Sequence, residues 1–310
     1  MNIHFNSFAA MITALPTDEA CREYLELQRW GGVPVCPHCG VVDAAHYKLK
    51  VKGEFKGMYK CKSCKQRFTV LLGTMFESSP IPLRKWFIAA FLFSAHKKGI
   101  SSHQLARDLS LTQKTCWFML HRLRLAFTDI EPKILKDVVS LDETFIGGKN
   151  KYRHADKKVV GSQGGSGKAI VMGGMQIGGI VVTKIVPDRE AETLVPVVEK
   201  MVKKGSMLVT DELKAYYRVK KDYFHIVVNH NEGQYTHNAF SPNNIEGFWS
   251  LLKRGLIGIY HQVTPKHLQK YCEEFGFRYN SRKITDKERF DMVLKRTEGV
   301  KLQYNALITK

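Results

Sequence analysis

Three acids and a lysine stand where their types and spacing could do chemistry. Asp142 follows the apolar run VVSL, Asp211 follows MLVT, and Glu246 lies near the start of NNIEGFWSLLKRG, residues 243–255. Lys253 comes seven residues after Glu246. In a helix that step is two turns, so the two share a face. Short apolar runs of this kind read as strands. If the two strands are neighbours in one sheet, both aspartates emerge at the same rim, and a helix packed across the sheet brings Glu246 to them. Carboxylates gathered in this way repel unless a cation sits among them. Hard oxygen donors suit Mg²⁺ or Mn²⁺. Two such ions about 3.5–4 Å apart can assist both the attacking and the leaving oxygen at a phosphodiester. The set therefore points to phosphoryl transfer, with Lys253 placed to hold a phosphate. Glu143 and Glu212, each following a candidate aspartate, read as caps or surface ions.

Four cysteines form a second constellation. CPHC at 36–39 and CKSC at 61–64 give C-x2-C, 21 residues, C-x2-C. Each pair offers two thiolates to one ion from a tight turn, and two pairs complete a tetrahedral Zn²⁺ site, with Cys36, Cys39, Cys61 and Cys64 as ligands. The intervening HYKLKVKGEFKGMYKC reads as strands about a glycine turn, so the pattern is that of a zinc ribbon. His38 lies inside the first pair but is surplus to four sulfurs, and reads as a surface or DNA-facing side chain. Cys21, Cys116 and Cys272 stand alone and read as small buried apolar residues.

The elements that must position these groups follow from periodicity and punctuation. Residues 1–75 read as a helical lead-in and the zinc ribbon. Residues 80–130 are helical. Within them SSHQLARDLSLTQKTCWFMLHRLRLAF divides into two helices around SLTQ, the second capped by Thr112 and displaying Lys114, His121, Arg122 and Arg124. That is a helix-turn-helix pattern, the alternative being a plain helical bundle. Residues 135–285 run strand, strand, strand, helix, strand, helix, strand, helix. This is an α/β domain with a mixed sheet. Residues 286–310 form a basic C-terminal extension.

Charge narrows the partner. The 310-residue chain has a net charge of +19, with 14 Lys/Arg against 4 Asp/Glu in residues 51–130 and 13 against 6 in residues 250–310. Basic flanks around a more balanced middle favour a polyanion, nucleic acid before membrane. No apolar run reaches the roughly 18–20 residues of a membrane span. The longest, WFIAAFLFSA at 86–95, is closed by His96, Lys97 and Lys98. The N-terminus lacks the basic region of a signal peptide, and the expectation is a cytoplasmic protein, nucleoid-associated if bacterial. GSQGGSGKAI at 161–170 is not a phosphate loop: the pattern needs Gly at 162 and Ser or Thr at 169, where Ser162 and Ala169 stand. It reads as a flexible loop.

Taken in order, CPHC…CKSC, SLDETFIGGK, VTDELKAYY, VVNH and NNIEGFWSLLKRG resemble DDE-type insertion-sequence transposases, in the branch with an N-terminal zinc ribbon related to Merlin transposons. The resemblance covers about residues 15–285. It implies an RNase H-like catalytic domain that cleaves and joins DNA strands with a divalent metal. It implies terminal inverted repeats and target DNA as double-stranded partners, and an assembly of several copies to hold two ends. The family's acids fall on Asp142, Asp211 and Glu246, and its lysine on Lys253. Asn243 is the alternative third residue, because some members carry Asn in place of Glu. A zinc-ribbon DNA-binding regulator, or an inactive derivative, is the alternative function; it would bind without cutting.

Overall fold

The computed structural model describes residues 3–128, 131–148, 158, 165, 167–228 and 243–309. The chain forms two compact units, Met1–Phe127 with Lys283–Lys310 and Thr128–Arg282.

The first unit opens with α1 (Phe8–Ala14) and α2 (Asp18–Trp30). Thr17 caps α2 by accepting from the Ala20 N–H, Asp18 and Glu19 occupy its first turn, and Gly31 ends it at φ 62°. Each is a local device for helix termini. The strands β1 (Tyr47–Val51), β2 (Glu54–Lys60) and β3 (Arg67–Phe68) form an antiparallel sheet in that order. Lys52 and Gly53, at φ 50° and 85°, make the β1–β2 turn; two successive positive φ values match the twist of a two-residue hairpin. Next come α3 (Leu83–Ala95), α4 (Ser102–Leu109) and α5 (Gln113–Phe127). The apolar 86–95 run is the buried core of α3.

Here α5 differs from expectation. His121 and Arg124 are fully buried, and Arg122 donates to the carbonyls of Met75 and Leu302. Arg124 lies over the Phe93 ring. Of the four residues expected on an exposed basic face, only Lys114 is exposed. The exposed end of α5 is instead its N-terminus, Thr112, Gln113 and Lys114.

The second unit contains β4 (Val138–Ile146), β5 (Ala169–Gln176), β6 (Val181–Val186), α6 (Ala191–Met201), β7 (Met207–Thr210), a 3-10 turn Lys214–Lys221 and β8 (Phe224–Val227). Then follow α7 (Asn243–Gly255), a π-helical turn Leu256–Tyr260 and α8 (Pro265–Asn280). The sheet order is β6-β5-β4-β7-β8. β5 pairs antiparallel with β4 and β6; β7 pairs parallel with β4 and β8. One face packs on α6 and the 3-10 turn through Leu141, Met172, Leu194, Leu208 and Tyr216. The other packs on α7 and α8 through Val171, Met175, Phe248, Trp249 and Phe275. The result is a mixed α/β unit with helices on both faces of its sheet. Residues 161–164 and 166, most of the loop that fails the phosphate-loop pattern, lie outside the described residues, as do His230 and Asn229 of VVNH.

The chain then returns to the first unit with α9 (Asp286–Lys295) and α10 (Tyr304–Ile308). Phe290 of α9 stacks on Tyr24 and packs edge-on or tilted against Phe5, Phe87 and Phe91. The segment expected to be a basic extension thus supplies core to the N-terminal unit. No helix among the described residues is long and apolar enough to cross a membrane.

Candidate active site and metal centre

The two C-x2-C turns meet. Cys36 Sγ lies 3.7 Å from Cys64 Sγ, and Cys39 Sγ lies 3.6 Å from Cys61 Sγ. All four sulfurs fall within 4.8 Å of one another. Tetrahedral zinc with Zn–S of about 2.3 Å would set sulfurs about 3.8 Å apart, and these two pairs already stand at about that spacing. Backbone turns hold it: Gly40 N–H donates to the Cys36 carbonyl and Lys65 N–H to the Cys61 carbonyl. His46, nearly buried, accepts from the Lys62 N–H at 3.2 Å and packs edge-on against Phe68. His38 is exposed at the turn's edge, 3.1 Å from the Arg67 carbonyl.

In the second unit the acids are placed by strand register. β4 and β7 run parallel with Val138 beside Met207, Val139 beside Leu208 and Ser140 beside Val209. Continuing that register two residues sets Asp142 beside Asp211. Asp142 does not end its strand, as VVSL had suggested. β4 continues to Ile146 because β5 stays paired with it, Asp142 opposite Gly173 and Ile146 opposite Ala169. It is the β7 pairing alone that stops short of the acid.

Helix α7 crosses this sheet with a divided surface. Ile245, Phe248, Trp249 and Leu252 are buried against the sheet, while Glu246, Ser250 and Lys253 stay exposed. The exposed row lines a cleft of about 670 Å³ with Asp142, Glu143, Thr144, Trp249, Arg254 and Ile257. So Asp142, Glu246 and Lys253 share one cleft. Asp211 sits at the end of the neighbouring strand; its Oδ1 accepts from the Leu213 N–H at 3.1 Å. Its charge acts on Asp142 and Glu143. Among the described residues only the four cysteines bring three or more ligand atoms within 4.8 Å of one another. No three carboxylates among the described residues come that close. The backbone of Asn243 begins α7, three positions before Glu246; its side chain lies outside the described residues.

Two residues gain roles that the sequence did not suggest. Glu143 is neither a cap nor a surface ion: it is largely buried, and the Tyr216 hydroxyl donates to its Oε1. Trp249 packs the helix on the sheet, and its indole N–H also donates to Asp142 Oδ2 at 2.9 Å. Partners 73 and 107 residues away leave no local trace in the chain. Phe248 is fully buried.

Comparison with known proteins finds two matching domains. Residues 134–280 match the ISXO2-like transposase domain, and residues 16–67 match the transposase zinc-ribbon domain. An uncharacterized transposase-like protein of Haemophilus influenzae is 31% identical over 108 residues, 34% of this chain and 84% of that protein. The chain belongs to the ISXO2-like transposase family. An uncharacterized protein in transposable element ISH50 of Halobacterium salinarum is 24% identical over 291 residues, 86% of this chain and 92% of that protein. Within the transposase domain fall Asp142, Asp211, Glu246 and Lys253; within the zinc-ribbon domain fall all four cysteines. The cysteine cluster and that domain together support structural zinc.

The electrostatics of the transposase domain make a measurable prediction. Burial pushes the Asp142 carboxyl up to about 6 from 3.8, and the charges of Asp211 and Glu246 add to it. Burial likewise takes Glu143 up to about 7 from 4.5, with Asp211 and Asp142 adding. Both folded values exceed the unfolded ones. The folded state therefore holds extra protons, and this contribution to stability is complete below about pH 4 and is lost as pH rises through 6 and 7. Denaturant unfolding of the zinc-loaded protein without Mg²⁺ should show stability falling between pH 5 and pH 8. In Glu143→Gln the fall should shrink. An unchanged slope in that variant would refute the assignment.

Proposed function

We propose that the protein cleaves DNA strands at the terminal inverted repeats of an insertion sequence and joins the freed 3′-hydroxyl ends to target DNA, using Mg²⁺ or Mn²⁺. The observation that carries this reading is the convergence of Asp142, Glu246 and Lys253 on one cleft, with Asp211 on the adjoining strand end. Membership of a transposase family and a net charge of +19 support it. So does the mixed sheet with helices on both faces, which suits an RNase H-like catalytic domain.

Asp142, Asp211 and Glu246 would hold the metal. The donor set fits: all the ligands are hard oxygens, and Asp142, raised first by its burial, also feels the charges of Asp211 and Glu246, which a cation would offset. When bound, such ions supply charge stabilisation at the phosphodiester. Asp142 and Asp211 would each give a carboxylate and Glu246 would complete the set, with Asn243 the alternative third residue. Lys253, two turns along the exposed row from Glu246, holds a phosphate beside the scissile bond. DNA is gripped by the zinc ribbon and by the α4–α5 pair. In a helix-turn-helix the base contacts come from the N-terminal end of the second helix, and that end of α5 is the exposed one. Two ends handled at once call for more than one copy of the chain.

The test is a cleavage and strand-transfer assay on the DNA flanking the gene, with Mg²⁺ or Mn²⁺, comparing the protein with Asp142→Ala. Metal-dependent nicking at a repeat end, followed by joining and absent in the variant, is the expected result. End binding by folded, zinc-loaded protein without cutting would overturn it in favour of a DNA-binding regulator. Cutting without joining would reduce it to a nuclease.

A further inference from the structure

Asp142 has a donor on each of its two carboxylate oxygens. Oδ1 accepts from the backbone N–H of Glu143 at 2.8 Å, and Oδ2 accepts from Trp249 Nε1–H at 2.9 Å. A carboxylate oxygen offers two lone pairs, so each keeps one. Two donors on different oxygens also fix the rotation of the group. The first belongs to the strand itself; the second crosses from α7.

The indole reaches Asp142 because the sheet leaves room for it. Trp249 is 4% exposed and packs with Val171, Ile245 and Phe248. Gly173 is the cross-strand partner of Asp142. A Cβ at Gly173 would lie 2.6 Å from both Cη2 and Cζ2 of Trp249, and 3.1 Å from Ile245 Cδ1. The backbone of Gly173 is outside the left-handed region, so it is the space that calls for glycine there.

We propose that Trp249 is a positioning residue: its indole N–H, seated over Gly173, sets the Asp142 carboxylate and ties the helix bearing Glu246 to the strand bearing Asp142, so that both acids meet a divalent cation in fixed relation. This rests on the reading of Asp142 as a metal ligand. The hydrogen bond leaves both Asp142 oxygens able to coordinate and forbids the carboxylate from turning. Glu246 lies three residues before Trp249 in the same helix, so the bond also sets the distance between the two acids.

The experiment uses the full, zinc-loaded chain carrying 5-fluorotryptophan. It has four tryptophans, and the fluorine signal absent from Trp249→Phe is that of Trp249. In the parent, Mg²⁺ should shift that signal and Mn²⁺ should broaden it, with the other three little changed. Trp249→Phe keeps an aromatic ring and loses the donor; it should bind Mn²⁺ about 10–100-fold more weakly, the usual effect of removing a ligand's hydrogen-bond partner. Gly173→Ala keeps the indole and displaces it, and should weaken binding comparably. Zinc content and thermal melts show that each variant is folded. Should either variant unfold, the other decides, and a Trp249 signal in the parent that Mg²⁺ leaves unchanged would overturn the proposal. Parent-like Mn²⁺ affinity in folded Trp249→Phe, with binding lost in Asp142→Ala, overturns the proposal and leaves Trp249 as packing. Parent-like affinity in Asp142→Ala overturns instead the metal-ligand reading beneath it.

Discussion

Asp142→Asn and Asp211→Asn each remove metal-dependent cleavage, by roughly 10³-fold or more, and leave binding to repeat-end DNA unchanged. A loss of that size is about 4 kcal/mol of transition-state stabilisation, in the range a catalytic cation supplies. Both substitutions keep side-chain shape, so the change is one of charge and donor type. The accompanying readout is thermal. A ligand that binds only the folded state at about 100 times its Kd stabilises it by about 2.7 kcal/mol. Added Mn²⁺ should raise the melting temperature of the zinc-loaded parent and should raise neither variant. Lys253→Ala separates the two functions of the cleft. The lysine is exposed in the row that also carries Glu246; as a phosphate contact it should lower cleavage while the Mn²⁺ effect persists. If Lys253→Ala also abolished metal stabilisation, its role would be within the metal site and not toward DNA.

Cys61→Ser unfolds the zinc ribbon. The core of this part is small: Cys36, Tyr59, Cys61 and Phe68, with Trp30, Phe55 and Leu72 at its margin. Two of those buried residues, Cys36 and Cys61, are themselves donors in the four-sulfur cluster. Structural zinc contributes about 10–16 kcal/mol in comparable small sites at neutral pH, more than a core of this size can replace. The expected result is loss of bound zinc by elemental analysis, protease cleavage within residues 31–70 and loss of repeat-end binding. Mn²⁺ stabilisation of the acid-bearing unit should remain. A Cys61→Ser protein that stays protease-resistant and binds DNA with parent affinity would refute a structural role for the ion.

What was legible in the chain was what local periodicity encodes. VVSL, MLVT and the alternation of strands and helices after residue 135 indicated the element order of the second unit, and the C-x2-C spacing indicated the cysteine cluster. The amphipathic division of α7 placed Glu246 and Lys253 on one exposed row. What failed depended on distant segments. Arg122 reads as a surface cation until Leu302, 180 residues on, comes to accept from it. Arg124 is covered by packing that includes Phe93 of another helix. Glu143 looks like a spare acid until the alternation of β4 turns it to the face opposite Asp142, where Tyr216 waits. A helix or strand shows which of its faces is apolar; it does not show which polar residues a later segment will enclose.

The division of the first unit between Met1–Phe127 and Lys283–Lys310 has a consequence for how the protein is made. The ribosome finishes the acid-bearing unit at Arg282, while the unit with the cysteines still lacks Phe290 and its aromatic neighbours' last partner. At about 5–20 residues per second, the remaining segment takes seconds to appear. The residues around α2 and α3 are made first, yet their aromatic core cannot close until α9, made after the whole acid-bearing unit, has left the ribosome. A stop codon just after Arg282 would release a chain with the cleft whole and the other unit missing its keystone, so that translation must run to the final helices before both halves of the protein exist together.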